Sequence, residues 1–131
     1  MAHLASCCCG QLSLIYADEI TKTSICHCFE CQKRTGSAFG IQTRLDSSKV
    51  LIQGNSTVFQ RSGDEEGVAS FHFCPQCGST VYWELDVMPG STVVALGAFA
   101  DPTLPSPTFM VYGNRKHHWI EMPASAIEYF G

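Results

Sequence analysis

The sequence predicts a mainly β fold: a single, mostly antiparallel domain over residues 1–131 with one short helix. Three observations point there. Apolar segments are short and bounded by Gly, Pro, Asn, Asp and Ser, the punctuation of strands and turns. Several of them alternate polar and apolar residues, the period of a half-buried strand. The cysteines fall in tight groups at the ends of these segments and in the turns between them.

Taken in order, "QLSLIYAD" (residues 11–18) places Leu12, Leu14 and Tyr16 on one face. "AFGIQTRL" and "KVLIQG" read as further strands, the second ending at Gly54. "TVFQRS" follows, then an acidic turn, "GDEEG". "VASFHF" runs into Cys74 and "STVYWELD" leads away from Cys77. "STVVALGAF", "PTFMVYG" and "HHWIEM" complete the strands. Between them "DPTLPSP" is a stiff loop, because proline fixes φ and lacks a donor. Only "FECQKRTG" reads as helical, about two turns long, with Gly36 placed to take the left-handed conformation after it.

Composition excludes several classes of function. With 131 residues, a net charge of −4 and a pI near 5.6, the chain has no basic stripe for nucleic acid or an anionic membrane surface. Its apolar runs, such as Val93 to Leu96, fall far short of the roughly 20 residues that span a bilayer. The start, "MAHLASCCCG", has neither the basic residues nor the apolar stretch of a secretory signal, which predicts a cytoplasmic protein.

Eight cysteines then require a reason. Dispersed cysteines in a secreted chain would suggest disulfides. These stand instead as "CCC" (Cys7, Cys8, Cys9), "CHCFEC" (Cys26, Cys28, Cys31) and "CPQC" (Cys74, Cys77). Such spacings suit several thiolates sharing one metal ion. "CPQCGS" reads as a zinc-knuckle hairpin, with Gly78 letting the backbone curl around the sulfurs. It supplies two ligands. In an extended "CCCG", Cys7 and Cys9 share a face and supply two more, while Cys8 points away as a small buried hydrophobe. Cys7, Cys9, Cys74 and Cys77 would thus form a closed structural zinc site.

Cys26, Cys28 and Cys31 remain. Cys26 and Cys28 share one face of an extended segment, and Cys31 comes from the first helical turn. Three ligands with an open fourth position is how a catalytic zinc is held. The bland reading is a closed site completed by one of His3, His27, His72, His117 or His118. His27 lies on the opposite face from its neighbours, and His72 reads as a satisfied strand histidine. His117 and His118 are the better pocket members.

Together these groups resemble the glutathione-dependent formaldehyde-activating enzyme family, a domain also found in centromere-protein-V-like proteins. The resemblance rests on "CCCG", "CHCFECQKRTG", "FCPQCG", "ALGAFADP" and "RKHHW". It implies a zinc-clipped, tent-like β domain with two zinc ions per chain. Cys7, Cys9, Cys74 and Cys77 would hold the structural ion, and Cys26, Cys28 and Cys31 the catalytic one. It also implies a carbon–sulfur lyase or synthase chemistry joining a glutathione-like thiol to a small aldehyde such as formaldehyde. Lys116 matches the family's late lysine and is the expected anchor for a substrate carboxylate, with His117 beside it. The family often has Ser-Lys-Ala-Pro-Trp where this chain has Arg115 to Trp119, and a polar residue where it has Met110. The alternative reading is a non-catalytic zinc-binding, metal-transfer or interaction module.

Overall fold

The computed structural model describes residues 2–63 and 67–131. The three acidic residues of the expected "GDEEG" turn lie outside the described residues. The chain forms two compact units, Met1–Glu19 with Arg44–Asp101, and Ile20–Thr43 with Pro102–Gly131. Strands dominate both. No helix among the described residues is long and apolar enough to cross a membrane.

The first unit holds a three-stranded antiparallel sheet of β1 (His3–Ser6), β2 (Ser13–Tyr16) and β5 (Val50–Gln53), with β2 central. Leu12, Leu14 and Tyr16 are buried, as the alternation requires. The unit also holds an antiparallel run of β6 (Thr57–Ser62), β7 (Val68–Phe73), β8 (Thr80–Leu85) and β9 (Ser91–Ala95). One register row crosses all four strands, Phe59 to Phe71 to Trp83 to Val93. Phe71 and Trp83 pack with ring centroids 5.1 Å apart, a tilted pair at the heart of a buried cluster. On the opposite face His72 stacks on Tyr82 at 4.3 Å and hydrogen-bonds Ser56 Oγ at 2.9 Å and Glu84 Oε2 at 2.8 Å. Both of its ring nitrogens are used, the satisfied strand histidine expected from sequence.

A β-bulge between His72 and Phe73 turns the chain just before Cys74. The β7–β8 hairpin thereby ends in a tight loop, with Cys74 N donating to Ser79 O and Gly78 N to Cys74 O. Gly54 closes another turn, with φ +97 and no room for a side chain, since a Cβ would overlap the Gln11 carbonyl. The Gln11 side chain grips the next residue, donating to Asn55 O at 2.6 Å and accepting from Asn55 N at 3.0 Å. Gly54→Ala is therefore expected to cost at least about 2 kcal/mol in chemical denaturation, from strained backbone and steric overlap together. An unchanged midpoint would contradict this packing.

Strand β4 (Gly40–Asp46) links the second unit back to the first along the chain. In the second unit β3 (Thr23–Cys26) is buried at all four residues. It pairs antiparallel with β4 and parallel with β10 (Phe109–Val111), which pairs parallel with β11 (Ile127–Tyr129). These parallel pairs are the exceptions in a mostly antiparallel fold, because β3 and β10 meet only after a long excursion of chain. Helix α1 (Phe29–Thr35) follows β3 directly and ends at Gly36, whose φ is +71.

Two local expectations need correction. "HHWIEM" is not a strand. Tyr112 takes the left-handed conformation at φ +57 and a 3-10 turn follows at Gly113–Arg115. Ile120 N then closes a further turn onto His117 O, and within that stretch Ile120 alone is fully buried. Cys8 is exposed rather than buried. The "CCCG" segment is a turn, not extended chain: Gly10 N donates to Cys7 O, with Gly10 at φ +86.

Candidate metal centres

Each unit carries one group of cysteines, and all eight are free thiols. In the first unit the sulfurs of Cys7, Cys9, Cys74 and Cys77 all lie within 4.8 Å of one another. Cys9 Sγ is 3.6 Å from both Cys7 Sγ and Cys74 Sγ. Sulfurs held about 2.3 Å from a tetrahedral zinc stand about 3.8 Å apart, and the two 3.6 Å edges are close to that spacing.

Two knuckle turns face each other here. Leu12 N donates to Cys7 Sγ at 3.3 Å, and Gln76 N to Cys74 Sγ at 3.4 Å. Gln11 Nε2 donates to Cys74 Sγ at 3.1 Å. The Ser79 hydroxyl, followed by backbone N–H groups, holds the Cys77 thiol down at about 5. Donors aimed at sulfur favour the thiolate, which is the form a metal takes.

In the second unit Cys26, Cys28 and Cys31 form a group of three, again within 4.8 Å of one another. Three different backbone states deliver them. Cys26 is the last residue of β3. Cys28 is extended at φ −61 and ψ 151 and caps the helix, its sulfur accepting from Cys31 N at 3.3 Å. Cys31 lies in the first helical turn. All three are buried, and Val111 and Tyr112 pack against them, with Phe109 alongside. Side-chain hydrogen bonds with Cys28 and Cys31, then burial, push the Cys26 thiol up. At Cys31 the bond with Cys26 acts downward, but the bond with Cys28 and burial outweigh it and push the thiol up to about 11. Such a cluster holds protons that a divalent ion would displace on binding. Among the described residues no fourth His, Cys, Asp or Glu joins this group.

His27, between two of the cysteines, is fully buried but is not part of the group. Burial, followed by the charges of Lys116 and His117, pushes its imidazolium toward the neutral form. Of the expected pocket residues, His117 is tied through Gln32 to the backbone of His27, which lies between two of the cysteines. Gln32 Nε2 donates to His27 O at 2.9 Å and to Arg115 O at 3.2 Å, and its Oε1 lies 2.9 Å from His117 Nε2. Lys116 Nζ donates to Ile120 O at 2.7 Å. Arg115 is stacked near Tyr112 and Phe29, at 4.8 and 5.7 Å from the ring centroids. His118 and Trp119 are exposed, and Trp119 meets His117 edge-on at 6.0 Å.

Sequence reasoning missed Gln32 and Tyr112. A glutamine in a helix carries no signal of its own. The Tyr112 ring is buried against the three cysteines while its backbone holds a conformation rare for a bulky residue. Such strain collects where a fold fixes a functional site.

The family model described as glutathione-dependent formaldehyde-activating enzyme matches residues 2–115. The match takes in all the cysteines and ends just before Lys116 and His117. Among solved structures, the crystal structure of a Rhodobacter sphaeroides protein is similar at a TM-score of 0.58 and 19% identity. The alignment covers 78% of this chain and 90% of that one, a likeness of fold. No curated protein matches.

Proposed function

The chain belongs to the glutathione-dependent formaldehyde-activating enzyme family, and on that premise we propose that its three-cysteine group is the catalytic site of a zinc enzyme joining a thiol to a small aldehyde. Glutathione and formaldehyde are the expected pair. The reaction adds the thiol across the carbonyl: a sulfur–carbon bond forms, the carbonyl π bond breaks, and the thiol proton passes to oxygen. The observation that carries the reading is the convergence of three buried thiols with no fourth protein ligand among the described residues.

Both cysteine groups fit zinc in donor type, and we assign two ions per chain. The ion at Cys26, Cys28 and Cys31 would supply a soft centre that holds the substrate thiol as thiolate at neutral pH. The four-cysteine ion would be structural. A three-thiolate site suits a soft sulfur ligand better than it suits hydroxide generation.

The chain's own residues supply the rest. Val111, Tyr112 and Phe109 wall the cysteines with apolar surface and keep water from competing. His117, whose Nε2 lies 2.9 Å from Gln32 Oε1, is the group to which we assign carrying the proton from sulfur to oxygen. Lys116 uses one donor on Ile120 O, and an ammonium has three, so two remain for a substrate carboxylate.

Cobalt substitution tests this reading. Adding glutathione to the cobalt protein is expected to strengthen the thiolate-to-metal charge-transfer band. S-methyl glutathione, which cannot form a thiolate, is expected to leave it unchanged. A spectrum indifferent to every thiol would favour a non-catalytic zinc module.

A further inference from the structure

A bare α-carbon lies beside the three-cysteine group. Gly40 on β4 stands directly opposite Cys26 on β3. A Cβ at Gly40 would lie 3.0 Å from Arg34 Nη2, 3.4 Å from Cys31 Cβ and 3.7 Å from Cys31 Sγ. A guanidinium nitrogen and a cysteine sulfur therefore converge on the space where any other residue would put its side chain.

Helix α1 brings them together. Arg34 follows Cys31 by three residues, so the two share a helix face. Its neighbour Lys33 is exposed and pairs with Glu30 at 3.2 Å, as a surface lysine does. The Nε and Nη2 atoms of Arg34 are shielded from solvent. A shielded charge is weakly screened, and a guanidinium keeps its charge at any working pH.

We propose that Arg34, admitted by the absence of a side chain at Gly40, is the residue that makes the three-cysteine centre select an anionic fourth ligand. The inference rests on the open zinc site proposed above. A divalent ion with three thiolates has a formal charge of −1. A neutral fourth ligand, water or imidazole, leaves that charge unchanged, whereas a thiolate raises it to −2. One fixed positive charge at short range offsets the difference and leaves neutral ligands almost unaffected. Arg34 is thus a positioning residue acting through charge, and it favours thiols as a class whatever their other groups.

The test uses the full-length cobalt-loaded protein at one pH, with 2-mercaptoethanol and imidazole as probes. The first carries no carboxylate, so Arg34 cannot act as a carboxylate anchor for it. In native protein both are expected to perturb the cobalt spectrum. Arg34→Gln is expected to weaken 2-mercaptoethanol by about tenfold, as a unit charge several ångströms away would, with imidazole changed by less than about twofold. Arg34→Lys keeps the charge and is expected to stay within about threefold of native for both. Gly40→Val fills the space that the guanidinium now enters, well beyond the 3.0 Å contact of a lone Cβ, and is expected to shift the same ratio in the direction of Arg34→Gln. An unchanged thiol-to-imidazole ratio in Arg34→Gln, or equal weakening of both probes, overturns the proposal. Should Arg34→Gln fail to fold or load cobalt, an unchanged ratio in Gly40→Val overturns it alone. Native protein that binds no thiol overturns the open site itself, a result separable from any change in ratio.

Discussion

Replacing Cys74 with Ser is expected to cost the protein its fold, with little soluble product and no cooperative thermal transition near that of the native chain. Structural zinc in small domains contributes about 10–16 kcal/mol at neutral pH, more than the entire net stability of most domains. Cys74 is one of the four sulfurs: it is fully buried, 3.6 Å from Cys9 Sγ, and receives Gln11 Nε2 and Gln76 N. A serine hydroxyl cannot hold zinc as a thiolate does, and its neutral, shorter-reaching oxygen is a poor replacement for the sulfur those donors now face. Cys26→Ser changes a buried sulfur in the other unit and is expected to cost only about 1–3 kcal/mol, leaving a folded β protein. Soluble yield and thermal melts of the two variants side by side check the division of roles. Equal behaviour would mean that the four-sulfur group is not the structural one.

The second large effect concerns metal loss. Dialysis against a graded series of chelator concentrations is expected to remove about one ion per chain first, followed by the second only at much higher chelator strength. The ion lost first should be that of Cys26, Cys28 and Cys31, which has one fewer protein ligand. Burial acts on the rate and not on this order: all three of these cysteines are buried, whereas Cys9 and Cys77 are exposed. Equilibrium is therefore expected to be slow at the three-cysteine group while its affinity is the lower. Metal analysis with circular dichroism reads both. Loss of the first ion is expected to leave the strand spectrum intact, and joint loss of both ions with unfolding would contradict the two-site account.

Much of the fold is legible in the sequence wherever short-range chemistry decides it. The strands Thr57–Ser62 and Val68–Phe73 coincide with the segments read from alternation. Helix Phe29–Thr35 and its left-handed Gly36 follow from composition and position. The spacing of the cysteines also anticipates which sulfurs meet. What fails is long-range or conformationally unusual. The parallel pairing of β10 with β3 joins segments more than eighty residues apart, and no local pattern encodes it. The strand β3 has all four residues buried, so it shows no alternation to read. Cys8 and the "HHWIEM" segment depart from extended chain because Gly10 and Tyr112 take positive φ and turn the backbone before or beside them. The surroundings of the three cysteines are the least legible part. Gln32 is one helical glutamine, and the Arg34–Gly40 contact exists only once β4 lies beside the helix.

The most direct test of the account is the rate at which the zinc-loaded protein joins glutathione to formaldehyde, measured against a Cys28→Ser control at equal protein concentration. That control matters because the two reagents combine spontaneously in water. Cys28 caps the helix and supplies one of the three sulfurs, so its loss dismantles the open site while the four-cysteine group remains. The account predicts adduct formation clearly above the spontaneous rate with the native protein, and a return to the spontaneous rate with Cys28→Ser. Native protein and control giving the same rate would contradict it.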